Sequence, residues 1–593
     1  MIFQSQFMET EQPLAEYPRP QFKRNSYVSL NGVWDYAIKK TAEVFDGVVE
    51  NAVYDGKILV PYSPESELSG VEKQLQKDET LFYRRAFILP ENFHHGRILI
   101  NFGAVDQVCK VYVNGVSVGG HEGGYLPFTL DITSAIKDGE NRLVVAVQDD
   151  AESEIYGRGK QKYDRGGIWY TATSGIWQSV WLESVPTSYI KSIRLTPNAT
   201  EKRLRIGLET EDGAEGVGKK MPFTVTVKDG DTVLTEESFS GKETTLFLPD
   251  CKLWTTDSPE LYSLTVRYGD DQVESYFGLR DFSCGDFGKF KLFTLNGKPI
   301  FHNGLLDQGY WHDGFYTPPS NRAMYDEVKA VKNLGFNMLR KHIKIEPALW
   351  YYYCDILGVL VWQDFINGGG KYSPLRIMLA PFFDLRLKDG DYRSMRRSEA
   401  SRKQYYKEAY ATVDALYNCV SLCLWTPFNE AWGQFDALKT WELMRAYDPT
   451  RLYDHASGWQ DMGGGDVCSK HIYFRKAKMK NDGRRVLALT EFGGYSLAVK
   501  GHVFSAKKFG YKTFKNAAAL QKAYEKLYRT EILPQIESQG LCGTVYTELT
   551  DIEDEVNGLF TFDRVLKVDG EKIKTVNADL YERFENAVKK FQG

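Results

Sequence analysis

The 593-residue chain lacks long hydrophobic runs, clustered cysteines and basic stretches, and each absence excludes a class of function. No apolar run reaches the ~18 residues that a membrane-spanning helix needs, so we expect no membrane partner. The first twenty residues contain no basic region followed by an apolar core, which predicts that no signal or transit peptide is present. The net charge is −5 and no Lys/Arg-rich run occurs, which excludes a nucleic-acid partner.

The cysteines are few and scattered. Of the eight, only Cys419 and Cys423 lie close together, and no second pair follows at the spacing of a zinc site. Isolated cysteines without a metal-binding pattern are typical of proteins in a reducing compartment. We therefore predict a cytoplasmic protein whose thiols lie in hydrophobic cores, and we expect no cofactor.

Aromatic residues, by contrast, are abundant at 14%, and the chain is too long for one hydrophobic core. Up to about residue 186, short apolar runs such as RILINFG (97–103) are separated by turn signals such as Asn114-Gly115. Helical periodicity is nearly absent there, which predicts an antiparallel β-sandwich. From 187 to 288, alternating strands recur at a spacing of roughly ten residues, which predicts a smaller immunoglobulin-like sandwich.

From residue 289 onward, apolar strands alternate with amphipathic helices. The helical segment NRAMYDEVKAVKNLG (321–335) is followed by the strand FNMLRKH (336–342), and this pattern repeats to the end of the chain. The number of repeats favours a (β/α)8 TIM barrel. An open doubly wound sheet would carry a Gly-rich phosphate loop after its first strand, and none occurs there. We therefore predict three domains, which cover residues 1–186, 187–288 and 289–593.

Polar side chains stand at the predicted carboxyl ends of nearly all barrel strands, where the active sites of such barrels lie. In chain order they are Asp307, Gln308, Tyr310, Arg340, His342, Gln363, Asp364, Asn429, Glu430, Asp454, His455, His471, Tyr473, Glu491, Tyr546, Glu548 and Asp551. A hydrophobic core would not place ionisable groups at so many strand ends. The set predicts a polar cleft at the barrel mouth.

Two glutamates in this set suggest a reaction. Glu430 in LWTPFNEAWGQF (424–435) and Glu491 in VLALTEFGG (486–494) each follow an apolar run that ends at the predicted mouth. Glycoside cleavage requires two carboxyl groups in one cleft, because one protonates the departing oxygen and the other attacks the anomeric carbon. Mutual repulsion favours keeping one of them protonated.

These motifs, with others in the same order along most of the chain, resemble glycoside hydrolase family 2, which contains β-galactosidases, β-glucuronidases and β-mannosidases. The matching segments are LNGVWDY (30–36), VYVNG (111–115), GIWQSVWLE (175–183), FGLRDF (277–282), LNGKPIFHNG (295–304), FNMLRKH (336–342), WTPFNEAWGQ (425–434), TEFGG (490–494) and TELTDIEDEVNGLFTFDR (547–564). The resemblance implies a jelly-roll domain, an immunoglobulin-like domain and a (β/α)8 barrel, in agreement with the pattern of strands and helices.

The resemblance also implies roles for individual residues. By motif, Glu430 is the acid/base, Glu491 is the nucleophile and Asn429 binds the sugar 2-hydroxyl. Arg340 and Tyr473 match residues that hold the nucleophile ionised. Further sugar contacts are implied at His342, Asp307, Asp364 and Trp459. A structural ion pair is the alternative for Arg340, and core packing is the alternative for Trp459.

The sequence departs from the family pattern late in the barrel. Members specific for glucuronides carry an Asn-x-Lys motif, whereas VNGLFTFDR (556–564) contains Asn557 without a lysine at that spacing. Where well-known members place a Trp, the last strand offers Tyr546 as the sugar platform. Glu548 and the DIEDE segment (551–555) make this rim acidic, and we expect DIEDE to be a solvated loop. The alternatives are contacts to the hydroxyls of a neutral sugar or a divalent cation, although no spacing singles out metal ligands.

Together these features predict a retaining exo-β-glycosidase that removes neutral terminal sugars, first of all β-galactosides, from small oligosaccharides or glycosides. A β-glucuronidase, a β-mannosidase and a furanosidase are alternatives within the family. An alternative of another class is a non-catalytic carbohydrate-binding protein on a barrel scaffold, which the presence of both glutamates disfavours. Residues 156–169 are the segment by which the N-terminal domain would reach the cleft. The sequence leaves open whether the chain forms a homo-oligomer.

Overall fold

A β-sandwich of two antiparallel sheets forms the first unit of the computed structural model, which describes residues 12–41, 53–213, 221–370, 388–393 and 395–592. One sheet contains, in spatial order, Gly56–Val60, Gly32–Lys40, Glu79–Ile88, Glu140–Gln148, Val108–Val113 and Val116–Glu122. The other contains Val28–Ser29, Val180–Val185, Arg97–Phe102 and Phe128–Asp131. Alternate strand residues point inwards and form one hydrophobic core. Asn114 and Gly115 both have positive φ, 50° and 79°, as a tight two-residue hairpin requires.

The second unit is a smaller sandwich with its own core. One of its sheets contains Tyr189–Asn198, Arg203–Glu211 and Glu243–Phe247. The other contains Thr232–Ser240, Pro222–Asp229, Tyr262–Tyr268 and Asp271–Phe277. A third sheet, made of Phe282–Phe287, Phe290–Leu295 and Lys298–Pro299, packs its apolar side chains into the core of the following barrel. Because this hairpin crosses residue 288, we propose that the third domain begins near residue 282.

Eight parallel strands form the barrel of the third unit. They are β1 (His302–Asp307), β2 (Met338–Lys341), β3 (Leu360–Asp364), β4 (Leu422–Thr426), β5 (Leu452–Tyr453), β6 (Val467–Ile472), β7 (Val486–Gly493) and β8 (Leu541–Thr547). The ladder runs β5-β4-β3-β2-β1-β8-β7-β6, so β5 and β6 border one seam. Asp466 N–H donates to the Tyr453 carbonyl oxygen (2.7 Å) across that seam. The strands are buried on both faces, which explains their continuous apolar sequences.

The helices around the barrel begin and end where local sequence signals predict. They are α1 (Asn321–Asn333), α2 (Ala348–Leu357), α3 (Glu399–Leu416), α4 (Ala437–Tyr447), α5 (Ala517–Leu527), α6 (Leu533–Gln539) and α7 (Gly570–Gln592). The Ser320 side chain caps α1 by accepting from Ala323 N–H, and Gly358 ends α2 with φ 65°. None of the helices in the described part of the chain is long and apolar enough to cross a membrane.

The predicted succession of two β-sandwiches and a (β/α)8 barrel is confirmed. All eight cysteines are free thiols, and seven of them are buried, including Cys419 and Cys423. The carboxyl ends of β1 to β8 converge on one face of the barrel, which brings the polar residues of the sequence motifs together.

Candidate active site

A sharp turn after β4 directs Glu430 into the barrel mouth. Pro427 follows the strand, and its carbonyl oxygen accepts a hydrogen bond from Tyr405 OH (2.8 Å). Glu430 and Ala431 then adopt the left-handed conformation, with φ of 49° and 65°. Non-glycine residues rarely adopt this conformation, and it is concentrated at functional sites. Glu430 N–H donates to the Ser457 carbonyl oxygen (2.9 Å), so the loop after β5 holds the turn in place.

Glu491 lies on β7 and accepts hydrogen bonds that favour its ionised form. Arg340 Nη1 lies 3.1 Å from its Oε1, and Tyr473 OH donates to its Oε2 at 2.5 Å. Burial alone would raise the pKa of Glu491, but Coulomb interactions with His471, Arg340 and other groups outweigh burial and lower the pKa to about 2. Because this pKa lies below the unfolded value of ~4.3, Glu491 stabilises the fold above that pH and loses this contribution as the pH falls towards 2.

His471 joins the two glutamates. Its Nδ1 lies 2.8 Å from Glu430 Oε1 and 3.5 Å from Glu491 Oε2. One oxygen of each glutamate and a ring nitrogen of His471 all lie within 4.8 Å of one another. Within the described ranges this is the one group of such residues with the spacing of a metal site. Since Arg340 and Tyr473 already donate to both oxygens of Glu491, we assign the group to acid–base and nucleophilic chemistry.

Arg340 is fully buried at the centre of a hydrogen-bond network. Its Nε and Nη2 form a bidentate pair with Asp364, at 3.0 Å each, and Nη2 also donates to Asn429 Oδ1 (2.8 Å). Asp364 Oδ2 also lies 2.6 Å from His342 Nδ1. Asn429 Nδ2 and His342 Nε2 have no hydrogen-bond partner among the residues that the structure describes, so both remain for a ligand. Asp364 is therefore placed to orient Arg340 and His342, and its contact with a sugar stays a prediction.

Trp459 lies beside His471 at the cleft, whereas Asp307 forms hydrogen bonds with neighbouring protein groups. The half-buried Trp459 ring meets the His471 ring edge to face, with centroids 6.0 Å apart, which places it at the rim of the cleft. Asp307 Oδ1 accepts from Gly309 N–H (2.8 Å), and Oδ2 accepts from Lys341 Nζ at 2.5 Å. Asp307 thus belongs to a buried ion network at the end of β1.

Tyr546 does not form the predicted sugar platform. It is fully buried, and its ring packs against Phe492 and Tyr524, with centroids 5.7 and 5.1 Å away, on the helix side of β8. Consecutive strand residues face opposite sides of a sheet, so the next residue, Thr547, points into the barrel mouth. Thr547 Oγ1 lies 3.0 Å from Tyr473 OH.

The DIEDE segment after β8 is buried, in contrast to the solvated loop expected from its charge. Its four acidic side chains are only 2–5% exposed. Their partners, in chain order, are Lys567 for Asp551, Thr171 N–H for Glu553, Arg165 for Asp554 and Tyr170 OH for Glu555. Three of these four partners come from the N-terminal sandwich, so the acidic rim is an interface between the first and third domains.

The N-terminal sandwich extends an arm, residues 156–171, across the barrel mouth. Gly157 pairs with Gly368 in the loop after β3. Trp169 stacks on Trp432, two residues beyond Glu430, with ring centroids 5.3 Å apart and planes inclined by 21°. The arm includes the segment 156–169 that the sequence analysis singled out, and the structure places it beside the candidate acid/base.

Tyr170 connects this arm to the end of β8. Its OH donates to Glu555 Oε2 at 2.5 Å and accepts from Gln308 Nε2 at 2.8 Å. Gln308 also donates to Glu548 Oε2 at 2.7 Å. Burial and then repulsion from Glu555 raise the pKa of Glu548 well above its ordinary value.

Sequence reasoning noted His471 at a strand end without assigning it a role. The signal was available, because His471 and Tyr473 are two positions apart and alternate strand residues share a face. Tyr170 lies just outside the predicted segment 156–169, and its contact with the end of β8 had no such signal, since no periodicity relates a loop of one domain to strand ends of another.

The comparisons with known families agree with this geometry. Residues 27–186 match the sequence profile described as Glycosyl hydrolases family 2, sugar binding domain, and residues 188–280 match the profile described as Glycosyl hydrolases family 2.

Curated relatives with different names are similar to parts of the chain. It is 31% identical over 276 residues to a putative β-glucuronidase of Formosa agariphila, which covers 44% of this chain and 32% of the relative. It is 29% identical over 298 residues to a β-galactosidase of Thermoanaerobacter pseudethanolicus, which covers 48% of this chain and 39% of the relative. The chain thus spans about a third to two fifths of the length of these relatives.

Solved structures share the whole fold. A β-glucuronidase from an uncultured Clostridium sp. has a TM-score of 0.73 at 17% identity and covers 94% of this chain and 99% of its own. A GH2 β-galacturonidase from Eisenbergiella tayi bound to galacturonate has a TM-score of 0.71 at 19% identity, with 95% and 99% covered. At this identity the likeness shows the fold alone. The two profile matches show that residues 27–186 and 188–280 belong to glycoside hydrolase family 2.

Proposed function

We propose that the chain is a retaining exo-β-glycosidase that removes terminal neutral sugars from small oligosaccharides or glycosides. One observation carries the proposal, namely that carboxylate oxygens of Glu430 and Glu491 lie within 4.8 Å of each other. Retaining enzymes need carboxyl groups roughly 5–5.5 Å apart, whereas inverting enzymes need roughly 6.5–9.5 Å to leave room for water. The Arg340 and Tyr473 hydrogen bonds to Glu491 support its role as the nucleophile.

The proposed reaction is a double displacement. Glu491 attacks the anomeric carbon and forms an ester bond, while Glu430 gives its proton to the departing glycosidic oxygen as the glycosidic bond breaks. Glu430, now a carboxylate, then takes a proton from the water that attacks the same carbon, and Glu491 leaves as a carboxylate. The product keeps the β configuration. Asn429 Nδ2, which is buried without a partner among the described residues, supplies a donor for the sugar 2-hydroxyl.

A neutral sugar fits the charges at the barrel mouth. Glu548 and Glu555 are buried there, and burial raises the pKa of both carboxyls, with added repulsion from Glu555 on Glu548 and from Glu491 on Glu555. A uronate would add a third carboxylate to this pair, which like-charge repulsion disfavours. A β-galactoside is our first candidate, and a relative named β-galactosidase supports it. The relatives and structures named β-glucuronidase support the main alternative, ahead of a β-mannosidase or a furanosidase.

A panel of nitrophenyl glycosides tests the reaction and the sugar together. We expect wild-type protein to hydrolyse one neutral β-glycoside, first of all the β-galactoside, and NMR of the first product to show the β anomer. The panel contains pyranosides and furanosides of both anomers, together with β-glucuronide and β-galacturonide. Preference for a uronide would overturn the neutral-sugar assignment, and an α first product would overturn retention.

Replacing Tyr473 with phenylalanine tests how Glu491 is kept ionised. The substitution removes a hydrogen bond that the carboxylate accepts, so the pKa of Glu491 rises and the acidic limb of the pH–kcat/KM profile moves to higher pH. We expect kcat at the optimum to fall about 10- to 100-fold. The Tyr511 ring, stacked 4.1 Å from Tyr473, still packs against phenylalanine, so Tm serves as the folding control. An unchanged acidic limb would show that the phenol does not hold Glu491.

The carbohydrate-binding alternative makes a different prediction for the same panel. An inactivated barrel would bind sugars without cleaving any glycoside. Both glutamates are present and oriented into the mouth, which supports catalysis over binding alone. Failure of the folded wild-type protein to hydrolyse any member of the panel, combined with saturable sugar binding in calorimetry, would favour the binding protein.

A further inference from the structure

Lys160 lies in the candidate active site although it belongs to the N-terminal sandwich. Its Nζ lies 5.2 Å from the centroid of the Trp432 ring, two residues beyond Glu430. An ammonium at this distance from an aromatic face is attracted to it. The Trp432 ring therefore helps to hold Lys160 on the same side of the mouth as the candidate acid/base.

The backbone around Lys160 is anchored on both sides. Gly159 N–H donates to Tyr125 OH (2.9 Å) within the N-terminal domain. The Lys160 carbonyl oxygen accepts from Tyr170 N–H (2.8 Å), and Tyr170 in turn binds Glu555 after β8. Lys160 thus lies between the loop after β4 and the loop after β8, in a part of the arm that hydrogen bonds fix.

The charge of Lys160 acts on the groups at the bottom of the cleft. Its positive charge contributes to the lowered pKa of Glu491, opposes the burial that raises the pKa of Glu548 and Glu555, and adds to the burial that lowers the pKa of His342. These directions agree with the geometry, because the backbone bond to Tyr170 places Lys160 next to the chain of hydrogen bonds that runs from Tyr170 through Gln308 to Glu548. Nevertheless, no ion pair within 4.0 Å links it to a carboxylate in the described ranges.

Glu548, which lies at the same end of the cleft, has a carboxyl oxygen that is available to a ligand. Its side chain is buried, at 1% exposure, and Oε2 accepts from Gln308. Oε1 has no hydrogen-bond partner among the described residues. A buried polar atom without a partner is costly, so a ligand that satisfies it gains binding energy. Lys160 supplies donors and Glu548 an acceptor, which together match one hydroxyl group.

We propose that Lys160 and Glu548 hold one hydroxyl group of the terminal sugar between them, so that the N-terminal domain takes part in selecting the substrate of the barrel. This inference rests on the proposed glycosidase function and adds the residues that choose the sugar. A hydroxyl both accepts from the ammonium and donates to the carboxyl oxygen, whereas a uronate would satisfy Lys160 and be repelled by Glu548 and Glu555. The pair therefore selects a neutral sugar over a uronate.

Kinetics of Lys160→Met, Glu548→Gln and the double variant test the proposal on the best neutral substrate of the panel. Methionine keeps an unbranched side chain over Trp432 and removes the charge. We expect Lys160→Met to lower kcat/KM about 10- to 100-fold. If both residues bind the same hydroxyl group, the fold loss of kcat/KM in the double variant is clearly smaller than the product of the fold losses in the two single variants. Glu548→Gln should raise the ratio of galacturonide to galactoside hydrolysis.

Lys110→Met is the matched control, because Lys110 is an exposed lysine of the same domain that lies on the strand Val108–Val113 and not on the arm. We expect it to stay within twofold of wild type, and circular dichroism to show that all variants are folded. The inference would be overturned if kcat/KM of Lys160→Met lay within threefold of wild type, or if the free-energy losses of the two single variants simply added in the double variant. Either result would leave the glycosidase proposal intact. Failure of wild-type protein to hydrolyse any glycoside would overturn both.

Discussion

Replacing Glu491 with alanine lowers kcat by a factor on the order of 10⁴ or more, while the protein remains folded. The loss is large because no neighbouring group can take over attack on the anomeric carbon. The fold survives because Arg340, which loses one anionic partner, keeps its bidentate pair with Asp364 and its bond to Asn429. We expect Tm to fall by only a few degrees.

Adding azide to steady-state assays of the Glu491→Ala variant distinguishes the loss of a nucleophile from other causes of inactivity. Alanine leaves space beside the anomeric carbon, so azide can attack in place of the carboxylate and displace a nitrophenolate ion. We expect azide to restore turnover and to yield the α-glycosyl azide, the product of a single inversion. Glu442→Ala, an exposed glutamate on α4, is the control and keeps the wild-type rate. Retained activity in Glu491→Ala would exclude its role as the nucleophile.

Replacing Glu430 with alanine has an effect that depends on the leaving group. A departing alkoxide or weakly acidic phenol needs a proton, so the glycosylation step with such aglycones falls by about 10²- to 10⁴-fold. A dinitrophenolate leaves without protonation, and its glycosylation step stays within about tenfold of wild type. His471 loses one partner but keeps its contact with Ser457, so the local structure is preserved.

Pre-steady-state bursts separate the two steps in this variant. With a dinitrophenyl glycoside, Glu430→Ala should release one equivalent of phenolate quickly and then turn over slowly, because the base for the second step is also missing. A plot of log kcat/KM against leaving-group acidity should be steeper for the variant than for wild type. An equal loss in the glycosylation step for all leaving groups would show that Glu430 is not the acid.

The sequence by itself determined the architecture and the central pair of glutamates. Continuous apolar strands, amphipathic helices and their alternation are local patterns, and they specify which segments become β1 to β8. Because the carboxyl ends of parallel strands meet at one face of a barrel, residues following β4 and on β7 could be expected to approach each other. Glu430 and Glu491 were therefore predictable as neighbours, whereas Arg340 and Tyr473 were expected beside Glu491 through the resemblance to the family.

Only the tertiary structure decided what surrounds this pair. Tyr170 and Glu555 are 385 residues apart in the chain, and their hydrogen bond depends on how two domains pack. Packing also turned Tyr546 towards the helices and buried the DIEDE segment, because the N-terminal arm supplies partners that its charges would otherwise find in water. Local sequence sets periodicity and chain direction, whereas the choice between solvent, core and cleft depends on contacts between distant residues.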